Sequence, residues 1–317
     1  MIPELRATHP RGGRSLPHSD WSRLLTESRN PRSLNLDRMA TEKVVTLLLD
    51  EDRLALIAAK KKARDIASAA RLVAKAFSTG GRTLFVGAGT SGRLGVLEAA
   101  ECPPTFGTRP EMILGIMAGG EDAVFRAKEG SEDRADLGEG AVSAVTSKDV
   151  VVGISASSVT PFVRAALKKA RSRRAKTVLV TCAPQTRLKT LANVVIAIRT
   201  GPEVLTGSTR LKAGSATKAV LNAITTAAMI RLGKSYSNYM VDLKQTSKKL
   251  EDRARRIVAV STGVNMAEAD RLLRAADNEV KTAIVMGHLR LDAPAARRKI
   301  TLANGHVRKA VSDRRRR

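Results

Sequence analysis

The first chemistry legible in this sequence is a six-residue run, Gly87-Ala88-Gly89-Thr90-Ser91-Gly92. Its G-x-G-x-x-G spacing follows a short apolar run and precedes a helical stretch. That context puts unsatisfied backbone N–H groups at a helix N-terminus, where an anion is favoured. Thr90 and Ser91 add hydroxyl donors inside the loop. A loop of this kind takes either a dinucleotide or a phosphate monoester. A dinucleotide site wants an acidic residue closing the second strand, but here that strand ends Met117-Ala118-Gly119-Gly120. The hydroxyls and the missing acid favour a phosphate monoester on Gly89, Thr90, Ser91 and Gly92. Glu121, one residue further on, keeps the dinucleotide alternative open.

A second hydroxyl-rich loop, with Ser155, Ser157, Ser158 and Thr160, follows another apolar run. Alone it reads as an ordinary serine turn. Paired with the first loop, Ser155, Ser157 and Thr160 can enclose the same phosphate from the other side. The third stretch runs from Gly201 to Lys218 and combines the carboxylate of Glu203, hydroxyls including Ser208, and the cations Arg210, Lys212 and Lys218. That mixture suits an anionic polyol better than a plain solvated helix start. His9, His18, His288 and His306 are far apart and lack metal-ligand spacing. Cys102 and Cys182 make no disulfide framework, and Cys102 reads as a small packing residue.

The elements that must position these residues follow from apolar patterning. Residues 41–78 read as one helix ended by Gly80 and Gly81. Strands are expected at Thr83–Val86, Met112–Met117, Asp149–Ile154, Thr177–Thr181 and Val194–Ile198, alternating with helices at about 92–100 and 162–170. Pro161 suits the first helical position. A long alanine-rich helix is expected from Ala216 to Leu232. This alternation predicts an α/β fold, a parallel five-stranded sheet flanked by helices, with ligands beyond the carboxyl ends of the strands. Asn265 with Glu268 makes a capping-box pattern, and short helices between Glu251 and Arg290 form a small C-terminal helical domain. The expected division is a disordered basic extension at 1–24, a phosphosugar-binding α/β domain at 25–240, a helical domain at 241–310 and a basic tail at 311–317.

Of the 317 residues, 43% are hydrophobic and only 3% aromatic, so the core is built from alanine and aliphatic side chains. No apolar run reaches the roughly 18 residues of a membrane helix, and the polar N-terminus lacks a signal-peptide stretch. A cytoplasmic protein without a membrane partner is expected. The net charge of +26 is spread along the chain, with one dense block at Arg314–Arg317. With few aromatics to stack on bases, it reads as a generally basic surface rather than a nucleic-acid interface.

The run Gly201-Pro-Glu-Val-Leu-Thr-Gly-Ser-Thr-Arg-Leu-Lys-Ala-Gly-Ser-Ala-Thr-Lys218 resembles a signature of the N-acetylmuramic acid 6-phosphate etherases, which share a sugar-isomerase-type fold with the glucokinase regulatory protein. Gly92-Arg93-Leu94-Gly95 and Glu98-Ala99-Ala100-Glu101-Cys102-Pro103-Pro104-Thr105-Phe106-Gly107 are similar to the same family. So are Ala118–Glu121, Glu129-Gly130-Ser131-Glu132-Asp133 and Met240–Leu243. The likeness runs from about Leu25 to about Ala310.

The resemblance implies an etherase, a carbon–oxygen lyase of amino-sugar catabolism and cell-wall recycling. It would cleave the D-lactyl ether of N-acetylmuramic acid 6-phosphate to N-acetylglucosamine 6-phosphate and D-lactate by elimination and then water addition, with no metal or other cofactor. It also implies that Glu101 is the acid/base residue, at the end of its helix, and Glu132 a second active-site glutamate. A glutamate in this role works best when burial raises its pKa. A homodimer is expected, because proteins of this fold commonly build the site between subunits. Two departures stand out. The etherases usually carry Ser-Gly-Arg-Thr-Pro where this chain has Ser157-Ser158-Val159-Thr160-Pro161, losing a glycine from the turn and a cation near the substrate. Ser247 replaces a usual Asn. The altered loop motivates a competing reading, a non-catalytic phosphosugar-binding regulator resembling the glucokinase regulatory protein. Glu101, Glu132 and a length sufficient for one such domain weigh against it.

Overall fold

The computed structural model describes residues 24–312; the expected basic extension up to residue 23 and the basic tail from residue 313 lie outside the described residues. Three short 3-10 turns between Leu25 and Arg38 lead into α1 (Thr41–Lys60) and α2 (Ala63–Ser78). The single helix expected over 41–78 is therefore two, broken within Lys60-Lys61-Lys62. Cations suit the negative end of the α1 dipole, and Asp65 in the first turn of α2 suits the positive end of the next. Charge signs mark this boundary where apolar spacing passes over it.

The chain continues through β1 (Thr83–Gly87), α3 (Gly89–Phe106), β2 (Ile113–Met117), α4 (Asp122–Phe125), α5 (Ala135–Ala141) and β3 (Val150–Ile154). Then come α6 (Pro161–Ser172), β4 (Lys176–Thr181), β5 (Val194–Ala197) and α7 (Lys212–Arg231). The five strands form one parallel sheet in the order β2-β1-β3-β4-β5. After β2 the chain crosses to the other side of β1, so the direction of winding reverses between β1 and β3. Right-handed crossovers then put α3 and α6 on opposite faces. Both faces are dry: Phe85, Val152, Val180 and Ile196 pack under α1, α2, α3 and α7, while Leu84, Val86, Val151 and Leu179 pack under α6. Alanines on α1, α2 and α7 supply the close helix–sheet approach that a chain poor in aromatics needs.

α3 is longer than its apolar stretch indicates and passes through Pro103 and Pro104. Both prolines fall in the final turn, which Gly107 closes in the left-handed conformation with its N–H on the Pro103 carbonyl at 2.9 Å. Glu101 therefore sits on the body of α3 rather than at its end.

After α7, a hairpin of β6 (Ser235–Tyr236) and β7 (Tyr239–Met240) leads to α8 (Lys248–Thr262), α9 (Met266–Ala275), α10 (Val280–Leu289), α11 (Ala293–Leu302) and α12 (Val307–Ser312). These helices share a core of their own around Ile257, Val258, Leu273, Ile284 and Val307. The side chain of Ser247 accepts the Leu250 N–H and caps α8, and Asn265 accepts the Glu268 N–H at 2.9 Å and caps α9. Strands of two residues carry no periodicity, so the hairpin is not legible from apolar spacing.

Candidate active site

Gly87 and Ile154 are neighbours in the β1–β3 register, so the two hydroxyl loops leave the sheet side by side at the reversal point. A crevice for ligands opens there in sheets of this topology. A Cβ on Gly92 would lie 2.8 Å from the Gly87 carbonyl oxygen, and Gly89 holds a φ of +53°. The glycines thus let α3 start directly against the end of β1. The N–H groups of Gly89, Thr90 and Ser91 face the crevice end of the helix, in positions that lack acceptors within their own helix.

The second loop is internally braced. The Ser155 and Thr160 hydroxyls are 2.9 Å apart, and Ser155 Oγ accepts the Ser158 N–H at 3.1 Å. Ser158 adopts a φ of +61°, the left-handed region that favours glycine. Its buried hydroxyl bonds Thr181 Oγ1 at 2.5 Å, at the end of β4. The glycine-to-serine departure therefore keeps a glycine-like turn instead of reshaping it, and a side-chain hydrogen bond offsets the strain. Ser157 is half-buried and makes no hydrogen bond among the described residues, which leaves its hydroxyl available to a ligand. Val159, in place of the usual arginine, is exposed.

The structure separates the residues of the third stretch into two groups. Glu203 is buried, and its two carboxylate oxygens accept the N–H groups of Lys212 at 3.2 Å and Ala213 at 3.0 Å. It caps α7, which explains why that helix starts at Lys212 rather than Ala216. Lys212 is buried too and pairs its ammonium with Glu51 of α1. Glu51 also accepts from Arg32 at 2.7 Å and Asn30 at 3.1 Å, and Asn30 reaches the Pro202 carbonyl at 3.1 Å. Ser33 bonds the Val204 carbonyl at 2.7 Å. Glu203 and Lys212 thus hold the loop and helix in place, and neither side chain is available at the surface of the crevice. Burial pushes the Glu51 carboxyl up, but Lys212, Arg32 and Asn30 outweigh it and hold it below its ordinary value. Its contribution to the fold is present above the ordinary carboxylate range and is lost as pH falls through its depressed value. Burial dominates at Glu203, whose carboxyl is raised despite the backbone N–H groups of Ala213 and Lys212.

Arg210 is exposed and lines a cavity of about 600 Å³ with Asp52, Leu56, Thr90, Leu94, Gly214 and Lys218. Ser208 is half-buried in the turn just before it. A neighbouring cavity of about 410 Å³ continues between α3 and α7, lined by Glu98, Glu101, Thr105, Lys218 and Asn222. Lys218 and Asn222 border both, so the two form one groove leading from the glycine loop along α3.

Glu101 is exposed in this groove, and the buried carboxyl is Glu98, one turn earlier. Asn222 donates to Glu98 at 2.6 Å, and the Thr225 hydroxyl bonds its other oxygen. Burial raises the Glu98 carboxyl above its ordinary value, against the opposing effects of Thr225, Lys218 and Asn222. Sequence reasoning missed Glu98 and Asn222. The three-residue spacing of Glu98 and Glu101 on a helix was the available signal. Cys102 is buried, its thiol pushed up to about 12 by burial and then by Glu98 and Glu101, which makes it a packing residue.

Glu132 is exposed on the far side of the glycine loop. It lines a smaller cavity with Gly89, Arg93, Lys128 and Ser131. Arg93 donates to the carbonyls of Val124 at 2.7 Å and Ala123 at 2.8 Å, fixing the segment that leads to Glu132. Gly89 and Glu101 stand twelve residues apart on α3, about 18 Å along its axis. One chain therefore does not bring Glu101 and Glu132 into a single cavity.

Two family models match the stretch that forms this parallel sheet and the two hydroxyl-rich loops at its reversal point. One describes the N-terminal SIS domain of the glucokinase regulatory protein and matches residues 65–171; the other, the SIS domain, matches residues 129–227. Among curated relatives, the N-acetylmuramic acid 6-phosphate etherase of Mesorhizobium japonicum is 46% identical over 93% of this chain and 97% of its own length. That of Synechocystis is 46% identical over 91% of this chain and 95% of its own. A solved phosphoheptose isomerase from Francisella tularensis overlays 61% of this chain and all of its own with a TM-score of 0.48 and 16% identity. The chain has the SIS fold. Within that class it belongs to the N-acetylmuramic acid 6-phosphate etherase family.

The buried pair of Lys212 and Glu51 sets up a stability test. Lys212→Met leaves Glu51 buried with only Arg32 and Asn30, and the expected loss is about 3 kcal/mol in urea unfolding. The double variant Glu51→Met/Lys212→Met recovers most of that loss. If the single variant is as stable as the parent, the pair does not hold α7 in place.

Proposed function

We propose that this chain is an etherase, a carbon–oxygen lyase that converts N-acetylmuramic acid 6-phosphate to N-acetylglucosamine 6-phosphate and D-lactate. The observation that carries the reading is the groove between α3 and α7, which joins an anion-accepting helix N-terminus to a carboxylate, Glu101, beside the exposed cations Arg210 and Lys218. Relatives 46% identical over nine-tenths of the chain bear the etherase name, which supports an enzyme over the regulator. The substrate phosphate docks on the N–H groups of Gly89, Thr90 and Ser91, at the turn that Gly92 closes, with Ser157 on the other side in a loop braced by Ser155 and Thr160, and with Ser208 and Arg210 at the rim.

The chemistry needs a base and an acid. In the open-chain sugar the C2 proton is α to an aldehyde and can be removed by a carboxylate. The C3–O bond then breaks, D-lactate leaves with the bonding pair and a proton, and an unsaturated aldehyde remains. Water adds at C3 while a proton returns to C2. Glu101 acts as acid/base at these positions and Glu132 as the second glutamate. We further propose a homodimer in which a second copy supplies the carboxylate that one chain leaves on the far side of α3. Val45, Leu49 and Leu56 on α1 and Leu97 on α3 support it: they are exposed apolar side chains, and Leu56 and Leu97 border the groove. Residues 25–240 are then the phosphosugar-binding domain and 241–310 a helical domain, a division supported by the separate core of α8–α12. Among the described residues no helix is long and apolar enough to cross a membrane. With both cysteines unpaired and buried, this fits work in the cytoplasm on recycled cell-wall sugar.

Incubation with N-acetylmuramic acid 6-phosphate is expected to release D-lactate. Glu101→Gln is expected to retain phosphosugar binding while turnover falls by about 10²-fold or more. Full activity in that variant would remove Glu101 from the mechanism, and no lactate from the parent would remove the etherase. Sedimentation at micromolar concentration is expected to show a dimer; monomer alone, with full activity, would contradict a shared site.

A further inference from the structure

We propose that Lys218, with Asn222 beside it, receives the lactyl carboxylate of the substrate and so distinguishes the lactyl-ether sugar phosphate from the plain sugar phosphate. This rests on the etherase reading. The substrate carries two anions, a phosphate on C6 and a carboxylate on the lactyl arm at O3. After cleavage the phosphate stays with the sugar and the carboxylate leaves with lactate. One anion site therefore cannot account for recognition of the substrate. The phosphate has the N-terminus of α3 and the hydroxyl loops. The carboxylate must go elsewhere, near the acid/base residue because the bond to be broken lies between them.

Three cations stand in or near the groove, and their surroundings differ. Lys212 is buried and paired with Glu51. Arg210 and Lys218 are exposed, and neither makes an ion pair or hydrogen bond among the described residues. Arg210 borders the cavity beside Thr90 and is absent from the lining of the one that holds Glu98 and Glu101. Lys218 stands eight residues further along the chain on α7 and borders both. It is thus within reach of a ligand that has its phosphate at the first turn of α3 and its reacting carbons near Glu101. A carboxylate arriving beside Glu98 and Glu101 meets like charge, and a cation at this junction offsets it. Asn222, held by Glu98 at 2.6 Å, keeps a second amide N–H for the same carboxylate. A lysine is well matched to a leaving group that moves, because its compact charge sits on a flexible stem and can follow it.

The experiment compares two ligands on Lys218→Met, made in the Glu101→Gln background so that nothing turns over. Calorimetry measures N-acetylmuramic acid 6-phosphate, which has the carboxylate, and N-acetylglucosamine 6-phosphate, which lacks it. The expected result is about 30-fold weaker binding of the first and an unchanged Kd for the second, with Lys218→Arg recovering much of the loss. Retained binding of N-acetylglucosamine 6-phosphate also shows that the variant is folded. Equal weakening of both ligands would make Lys218 a phosphate cation and overturn the proposal, as would no change in either. Because both arms measure binding, they test Lys218 independently of lactate release, which tests the etherase reading itself.

Discussion

The start of α7 depends on one carboxylate. Glu203 accepts the N–H groups of Lys212 and Ala213, and the helix begins there because those donors are satisfied there. Lys212 then turns inward to Glu51, and Arg32 and Asn30 gather on the same carboxylate. The cluster ties the N-terminal turns, α1, the loop from Gly201 and α7 into one piece. The residues that line the groove from the α7 side, among them Arg210, Gly214, Lys218 and Asn222, inherit their positions from this anchor.

The opposite wall depends on the topology of the sheet. Because the chain reverses its winding between β1 and β3, two loops that are far apart in sequence, one ending at Gly92 and the other beginning at Ser155, emerge beside each other. An anion there meets helix N–H groups from one side and hydroxyls from the other. The Ser155–Thr160 turn keeps its shape without a glycine at 158, since the Ser158 hydroxyl is fastened to Thr181. A loop that lost both a glycine and an arginine relative to the family pattern thus retains the turn, and the missing cation leaves Arg210 and Lys218 as the exposed positive groups lining the groove among the described residues.

Much of this was legible in the sequence, for physical reasons. Short aliphatic runs between helical stretches define buried parallel strands, and all five appear within a residue or two of their expected limits. The glycine loop announced a helix N-terminus because only glycine tolerates the approach of Gly92 to Gly87. Strand order was not legible, since apolar runs do not say which neighbour they take. Nor was burial: Glu203, Lys212 and Arg210 read alike as polar residues of one loop, yet two are enclosed and one is exposed. Glu98 and Glu101 likewise share a helix face, and only the packing of α7 against α3 separates the buried carboxyl from the accessible one.

The lactyl ether, on this mechanism, is broken on the sugar side by elimination and rehydration. Running the reaction in deuterated, ¹⁸O-enriched water and resolving both products by mass spectrometry tests that most directly. Elimination and rehydration predict solvent deuterium at C2 and solvent oxygen at C3 of N-acetylglucosamine 6-phosphate, with no solvent oxygen entering lactate through the cleavage. Solvent oxygen on the C2 hydroxyl of lactate, with no deuterium in the sugar, would mean displacement at the lactyl carbon and would contradict it.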